Sequence, residues 1–439
     1  MKPDASGPLG ILAASGPLPL EIAATAQAKG RAVFIVALTG LADADGVARH
    51  PHAWASLGQV GRILGSFKSA GCRDLVIAGA MQRPDLMRLR IDLGFLRNFG
   101  TVLALTRGGD DSVLRKVVRF FEGHGFHVCG VGDVAPQLLA TTGPLGALSP
   151  DPDHLAAIAR AKALLAALGP FDVGQGAVVT RARIVAVEGV RGTDAMLREL
   201  AREGAGAGIG AGAVLVKLPK PGQERRVDLP TIGPVTVARA VSAGLAGIAV
   251  GAGASLVMQR EEARRAADAA GIFVVGLDDD AGDAEAPAVA TTIDTPFAIL
   301  ARRAPTPKDR ADIALARKLV LTLRAHGAGR AGIIGGEHVL AIAGALPVTA
   351  MLRASAAHGH WGLRRLKGQI GTLLIDLAPG HDGTTPPISQ LLDIEVLRAA
   401  RDARLSGIAC LGAPLPDDLK NDAIAWADEA KLFLVTDHP

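Results

Sequence analysis

Residues 57–84, LGQVGRILGSFKSAGCRDLVIAGAMQRP, join a helical stretch (60–70) to a short apolar strand (74–79). Runs of the same kind stand at 9–13 (LGILA), 32–38 (AVFIVAL), 101–105 (TVLAL) and 126–131 (FHVCGV). Helical stretches at 19–29, 84–98 and 111–123 separate them. Short buried strands alternating with helices predict an α/β fold, with a parallel, doubly wound sheet over residues 1–145. In such a sheet the ligand crevice lies beyond the carboxyl ends of the strands.

Outward from that domain, Pro and Gly cluster at 141–153 (TTGPLGALSPDPD), and Asp151-Pro152-Asp153 then opens a helix at 154–168. A second, mixed α/β block over 150–278 carries strands at 176–180, 183–188, 213–217, 246–250 and 272–276. The acidic, Ala-rich stretch 278–290 (DDDAGDAEAPAVA) reads as exposed, within a linker at 279–305. The third block, 306–439, echoes the second. Ala243–Val250 (AGLAGIAV) lines up with Ala403–Cys410 (ARLSGIAC) at an offset of 160, Phe273 falls on Phe433, and Ile158 faces Ile313. The expectation is a diverged repeat with strands near 371–377, 406–410 and 431–436.

The chain has 439 residues, of which 49% are apolar and 21% charged, enough to bury several cores and too ordered in pattern for wholesale disorder. Gly numbers 54, while Trp, Phe and Tyr number 3, 11 and 0, which argues against a nucleic-acid binder that stacks bases on aromatics. A net charge of +4 without any Lys/Arg block leaves room for a local anion cleft. Cys72, Cys129 and Cys410 are too scattered for a disulfide scaffold or a cysteine zinc site, and fit reduced thiols in the cytoplasm. The uncharged stretch 240–259 carries Gly244, Gly247, Gly251 and Gly253 and reads as helix end, buried strand and loop instead of a membrane span.

The densest polar constellation is 217–234, KLPKPGQERRVDLPTIGP, just past a strand. Its cations match phosphate oxygens, and a carboxylate among them suits Mg²⁺ or a positioned water; a solvated loop is the competing reading. Glu188, Gly192, Thr193 and Asp194 form a second group, in which Thr-Asp also serves as a plain helix cap. Ala14, Ser15 and Gly16 make a small-residue loop after the first strand, able to offer N–H groups to a phosphate although it is not GxGxxG. Gly79 and Arg83 follow the third strand, where a base or sugar would sit. His124 and His127 lack zinc-pair spacing, and no P-loop, GxSxG or HExxH occurs.

Together these segments resemble the UDP-2,3-diacylglucosamine pyrophosphatases of the LpxI family, over about 1–277. The carriers are GILAASGPLPLEIA, residues 57–84, GDD at 109–111, GFHVCGVGDVAPQLL (125–139), LGPFDVGQGAVV (168–179), GTDAML (192–197) and 217–234. The resemblance implies a two-domain enzyme with the ligand between the domains, a divalent metal such as Mg²⁺, and hydrolysis of UDP-2,3-diacylglucosamine to UMP and lipid X. It implies Asp228 as the essential acid, Lys217, Lys220 and Arg226 as phosphate-neutralising cations, and Thr193 and Asp194 at the diphosphate or metal. Asp228 and Asp194 would be the metal ligands. Ala14, Ser15, Gly16, Gly79 and Arg83 would receive the uridine side, with Gln175 and Thr231 at the substrate. Arg191 stands where the family usually has an acid, a reversal that predicts weaker cation binding or a re-routed loop. It also motivates the alternative of a non-catalytic UDP-sugar or lipid sensor. A diacyl substrate implies a cytoplasmic protein touching the inner membrane peripherally, with self-association as a further partner. The copy, without the Lys/Asp constellation, would be non-catalytic.

Overall fold

The structure is a computed structural model that describes residues 7–81, 91–97, 110–189, 191–203, 212–278, 297–343, 347–357, 371–378 and 388–438. The first sheet contains β1 (Leu9–Ala13), β2 (Val33–Leu38), β3 (His52–Ala55), β4 (Asp74–Ala78) and β5 (His127–Val128), in the order β3-β2-β1-β4-β5. Every pairing is parallel, and β1 is entirely buried. Helices α1 (Leu18–Ala28) and α2 (Val60–Ser69) return the chain between strands: α1 buries Ile22 and Ala23 on one face of the sheet, α2 buries Ile63, Leu64 and Phe67 on the other. The order reverses between β1 and β4, so their carboxyl ends form the switch-point crevice of a doubly wound fold.

Two details of this sheet differ from the sequence reading. Strand β3 was missed because His52-Ala-Trp-Ala55 alternates weakly and lies on the sheet edge, with His52 exposed. The run at 126–131 yields only His127–Val128. Asp133 accepts the Gly130 N–H at 2.8 Å and starts a helical turn at Val131. The strand expected at 101–105, most of the helix expected at 84–98, and Arg83 lie outside the described residues; within that helix, Leu93–Arg97 is helical.

The second sheet runs β6-β13-β11-β9-β7-β8, built from β6 (Gly143–Pro144), β7 (Gly176–Val179), β8 (Ile184–Val187), β9 (Val214–Lys217), β11 (Gly247–Gly251) and β13 (Phe273–Leu277). β10 (Thr231–Ile232) and β12 (Leu256–Val257) pair separately. The third sheet runs β14-β19-β18-β17-β15-β16, from β14 (Ala298–Ile299), β15 (Ala331–Gly335), β16 (His338–Ala343), β17 (Thr372–Asp376), β18 (Gly407–Leu411) and β19 (Phe433–Thr436). β6 and β14 fall in segments read from sequence as a break and a linker. Each is a two-residue antiparallel addition too short to leave a pattern.

The two sheets agree strand by strand. Each pairs its central three strands in parallel and its remaining neighbours antiparallel. Registers match as well: Gly247 faces Phe273 as Gly407 faces Phe433, and the bulge between Val178 and Val179 recurs between Ile333 and Ile334. A Cβ on Gly247 would lie 2.4 Å from the Phe273 ring, and on Gly407 2.3 Å from Phe433. Gly247→Ala is therefore expected to cost about 1–3 kcal/mol, read as a lowered midpoint in denaturant melts; an unchanged midpoint would show that the ring yields freely.

Helices α4 (Pro152–Leu168) and α8 (Pro307–Ala325) also start alike, with Pro after a capping residue and reciprocal capping bonds from Asp151 to His154 and from Thr306 to Asp309. One apolar cluster spans both sheets: Ile158, Leu164, Val216 and Phe273 share it with Ile313, Leu319, Leu374 and Phe433. The outer faces have their own cores, covered by α5 (Thr193–Glu203), α6 (Pro234–Ser242) and α7 (Arg260–Ala270) on the second sheet, and by α9 (Val348–Ala357), α10 (Ile394–Asp402) and α11 (Asp417–Ala430) on the third.

All three cysteines are buried and unpaired. Desolvation pushes the Cys72 thiol up to about 11 and those of Cys129 and Cys410 to about 12. A thiol reagent at pH 8 is thus expected to leave the native protein unmodified and to label it fully in guanidinium; fast native labelling would refute the burial.

Candidate functional site

Lys217 is the last residue of β9 and is 7% exposed, so the parallel strands deliver a cation at their carboxyl ends. Its Nζ donates to the Thr231 carbonyl at 3.4 Å. The segment after β9 turns back toward the first domain. Val227 packs against the first sheet's α2-side core and Leu229 against its α1-side core. Asp228, between them, is thereby seated at the edge where the two domains meet. Arg226 fastens the same segment, bonding Glu224 and, at 2.7 Å, Glu122 on the helix α3 (Asp110–Gly123).

Two neutral amides hold the Asp228 carboxylate. Gln175 Nε2 approaches Oδ2 at 3.4 Å, and the buried Gln223 donates to the same oxygen. Gln223 also accepts the Lys220 N–H at 2.8 Å, which folds the KPGQ turn. Lys220 Nζ pairs with Asp172, whose backbone is left-handed (φ 56°) at the end of the turn after α4. Glu188 completes the row: it is 9% exposed, accepts the Thr193 hydroxyl at 2.8 Å, and bonds the Gly176 carbonyl through its N–H at 2.7 Å. A Cβ on Gly176 would lie 2.5 Å from Glu188 Oε2 and 3.5 Å from Lys217, so that glycine opens the space between them. Gln175, Asp228, Gln223 and Lys220 are linked by hydrogen bonds into a polar row, and Glu188 and Lys217 extend it, flanking Gly176 next to Gln175.

Of the residues expected from sequence, Asp228, Lys217, Lys220 and Gln175 come together in this row. Thr193 supports it from behind through Glu188. Thr231 offers its carbonyl, its hydroxyl being turned to Leu229 O at 3.0 Å. Arg226 serves the domain junction, and its hydrogen bonds hold the Glu224 carboxyl below the usual range. Asp194 is tied to Arg239, and Arg191 pairs with Glu199. The charge of Arg191 is thus neutralised on α5. Gln223, Asp172 and Glu188 carry more of the arrangement than the sequence reading gave them. Glu188 ends a buried strand ahead of the Gly192-Thr193-Asp194 turn, a signal that was available.

On the first domain, Ser15 and Ala80 form a two-way bridge. Ser15 N donates to Ala80 O at 3.2 Å, Ala80 N to Ser15 O at 2.9 Å, and the Ser15 hydroxyl also bonds Ala80 O. Gly79 has φ +100°, and a Cβ there would meet Ser15 O at 2.6 Å. Gly16, at φ +92°, has open space around it. Ala14, Ser15, Gly16 and Gly79 therefore frame the switch-point crevice, with backbone groups as its chemistry. Gly79→Ala would force a left-handed alanine into the bridge, at a cost of about 1–2 kcal/mol. We expect a roughly tenfold or larger rise in KM with kcat less affected; an unchanged KM would remove this loop from substrate binding.

Among the described residues, the one trio of ligand-type side chains close enough to share an ion is Asp74, His127 and Cys129. It lies at the amino ends of β4 and β5, away from the row above, and Arg31 already neutralises Asp74 at 2.7 Å. His127 Nδ1 sits 3.0 Å from Asp74 and 3.4 Å from Cys129, a buried polar cluster that ties strand starts together.

Residues 8–138 match the family model of the LpxI N-terminal domain, and residues 141–275 that of the LpxI C-terminal domain. The UDP-2,3-diacylglucosamine pyrophosphatase LpxI of Caulobacter vibrioides is 42% identical over 276 residues, which is 62% of this chain and 97% of the relative. The third sheet lies beyond both matches. With both domain models matched in order, and a relative matched over nearly its whole length, the chain belongs to the LpxI family.

Proposed function

We propose that this protein hydrolyses the diphosphate of UDP-2,3-diacylglucosamine, giving UMP and 2,3-diacylglucosamine 1-phosphate for lipid A synthesis. The observation that carries the reading is Asp228. It is a carboxylate held by two neutral amides, with Lys217 and Lys220 in the same row and the domain junction at its back. The two amides fix the orientation of the carboxylate, as a water-orienting or metal-holding acid requires. Water adds to one phosphorus, the bridging P–O bond breaks, and two phosphate monoesters leave. Lys217 and Lys220 offset the charge that gathers on the phosphoryl oxygens. The uridine end would lie over Ala14–Gly16 and Gly79.

A divalent cation such as Mg²⁺ fits Asp228, whereas Asp194 reaches a cation only by giving up Arg239. When bound, the ion would draw charge from the diphosphate and acidify water. Incubation of the purified protein with UDP-2,3-diacylglucosamine and Mg²⁺ should release UMP. Absence of UMP with Mg²⁺, Mn²⁺ and Co²⁺ alike would reject the reading.

The diacyl substrate must come from a membrane, although no described helix is long and apolar enough to cross one. The segment 91–97 supports peripheral contact: Ile91, Leu93 and Leu96 are 52%, 72% and 54% exposed. Asp92 pins it to the start of α2 by accepting the Gly61 and Arg62 N–H groups at 3.2 and 2.9 Å. That start follows β3, on the carboxyl side of the first sheet. Replacing Leu93 and Leu96 by Ser should weaken co-sedimentation with anionic vesicles about tenfold or more, given the transfer energy of two leucines. Equal sedimentation would end the membrane role of this segment.

The third module, 297–438, is in this reading a diverged copy of the second that has lost its site. Strand register puts Ile375 at the position of Lys217. Arg330 stands at that of Gln175: its carbonyl accepts the Asp376 N–H as Gln175 accepts that of Leu218. Asp376, fully buried, is bonded by Arg324. The cleft position is filled by charges that satisfy one another.

A further inference from the structure

The second and third modules meet through matching parts. Helix α4 packs on α8, its counterpart, and the edge strand β8 comes beside β16, its counterpart. The shared core follows the same rule. Ile158 and Ile313, Ala161 and Ala316, Leu164 and Leu319 hold equivalent places on the two helices, and all six are in the one cluster. A contact in which every element meets its own equivalent is what a two-fold axis generates; unrelated domains docking by chance would bring unlike faces together. The face is also dry: Ala161, Ala316, Leu164 and Leu319 have no solvent exposure. Left uncovered, such a continuous apolar stripe would demand a partner. The Caulobacter relative, matched over 97% of its length by 62% of this chain, has no room for a counterpart of 297–438.

We propose that residues 297–438 act as a fused second subunit. They cover, about a pseudo-two-fold axis, the face through which a single-module ancestor paired with another copy of itself, so that this chain is complete as a monomer with one working site and one vacated one. The inference rests on reading 297–438 as a diverged copy, and it adds what that copy is for. The shared core includes Phe171 and Leu218 at its margin, immediately before Asp172 and immediately after Lys217. The core that the pseudo-subunit completes thus reaches the residues next to Lys217 and to Asp172, the partner of Lys220.

Native mass spectrometry of the full-length protein at micromolar concentration should give the mass of one chain. A stable dimer would overturn the proposal, because the pairing face is held to be occupied from within. A second measurement uses a site-specific protease sequence placed in the stretch 283–290 of the otherwise intact chain. After cleavage the two pieces should co-elute as one particle of unchanged mass in low and high salt. Separation of the pieces would also overturn it, since a subunit-type interface does not depend on the peptide connection. Neither readout involves turnover. A monomeric, co-eluting protein that releases no UMP would count against the proposed hydrolase and leave this inference standing.

Discussion

Asp228→Asn should lower kcat by roughly 10²-fold or more while the protein keeps its circular dichroism spectrum and its melting midpoint. The substitution removes a charge and changes little else in shape. Asp228 lies between Val227 and Leu229, whose packing on the two sides of the first sheet holds the segment, and Gln175 and Gln223 still find a carbonyl oxygen to bond. A carboxylate that only braced the loop would be replaced by its amide at small cost in rate. A charge that holds a cation or orients the attacking water would not. Turnover by the variant within a few-fold of the native enzyme would move the essential acid elsewhere, and Glu188, buried at the other end of the row, would be the residue to test next.

Leu319→Ala should destabilise the protein by about 2–5 kcal/mol, although Leu319 belongs to the third module, which holds none of the polar row. Its side chain is fully buried in the cluster common to both sheets, close to Gly332 of β15, so the cavity opens within that shared core. Thermal unfolding followed by calorimetry should show the second and third modules melting together, with the shared transition lowered. A variant that shifts a small separate transition, and leaves the one lost with activity in place, would show that the two modules are energetically independent. Removal of the third module would open the same core. Every residue in the polar row lies before 229, yet Phe171 and Leu218 pack against the cluster that the third module completes.

Much of this was legible in the chain. Strands at 9–13, 32–38 and 74–78 are short, apolar and separated by helices, and hydrophobic burial on both faces leaves such runs only one class of home. The matching runs at 243–250 and 403–410 could be read because core positions keep their size: Gly247 must stay small under Phe273, and Gly407 under Phe433, whatever the surface does. Lys217, Lys220 and Asp228 could be singled out because they crowd into one polar run beyond a buried strand, whereas Gln175 was named only through the family resemblance.

Tertiary structure alone decided the rest. β3, β6 and β14 form because a neighbouring strand offers them unpaired backbone groups, which a two- to four-residue segment cannot advertise. Partnership of charges is likewise a matter of distance. Arg226 reads as a phosphate ligand until Glu122, 104 residues away, is seen 2.7 Å from it. Arg191 reads as a defect until Glu199 pairs with it. The joining of two modules through α4 and α8 left no mark of its own, because the apolar face that binds another module is made of the same Ala, Ile and Leu as a face that binds its own sheet. Hydrophobic burial is non-directional: the residues state that a face must be covered, and only the fold states by what.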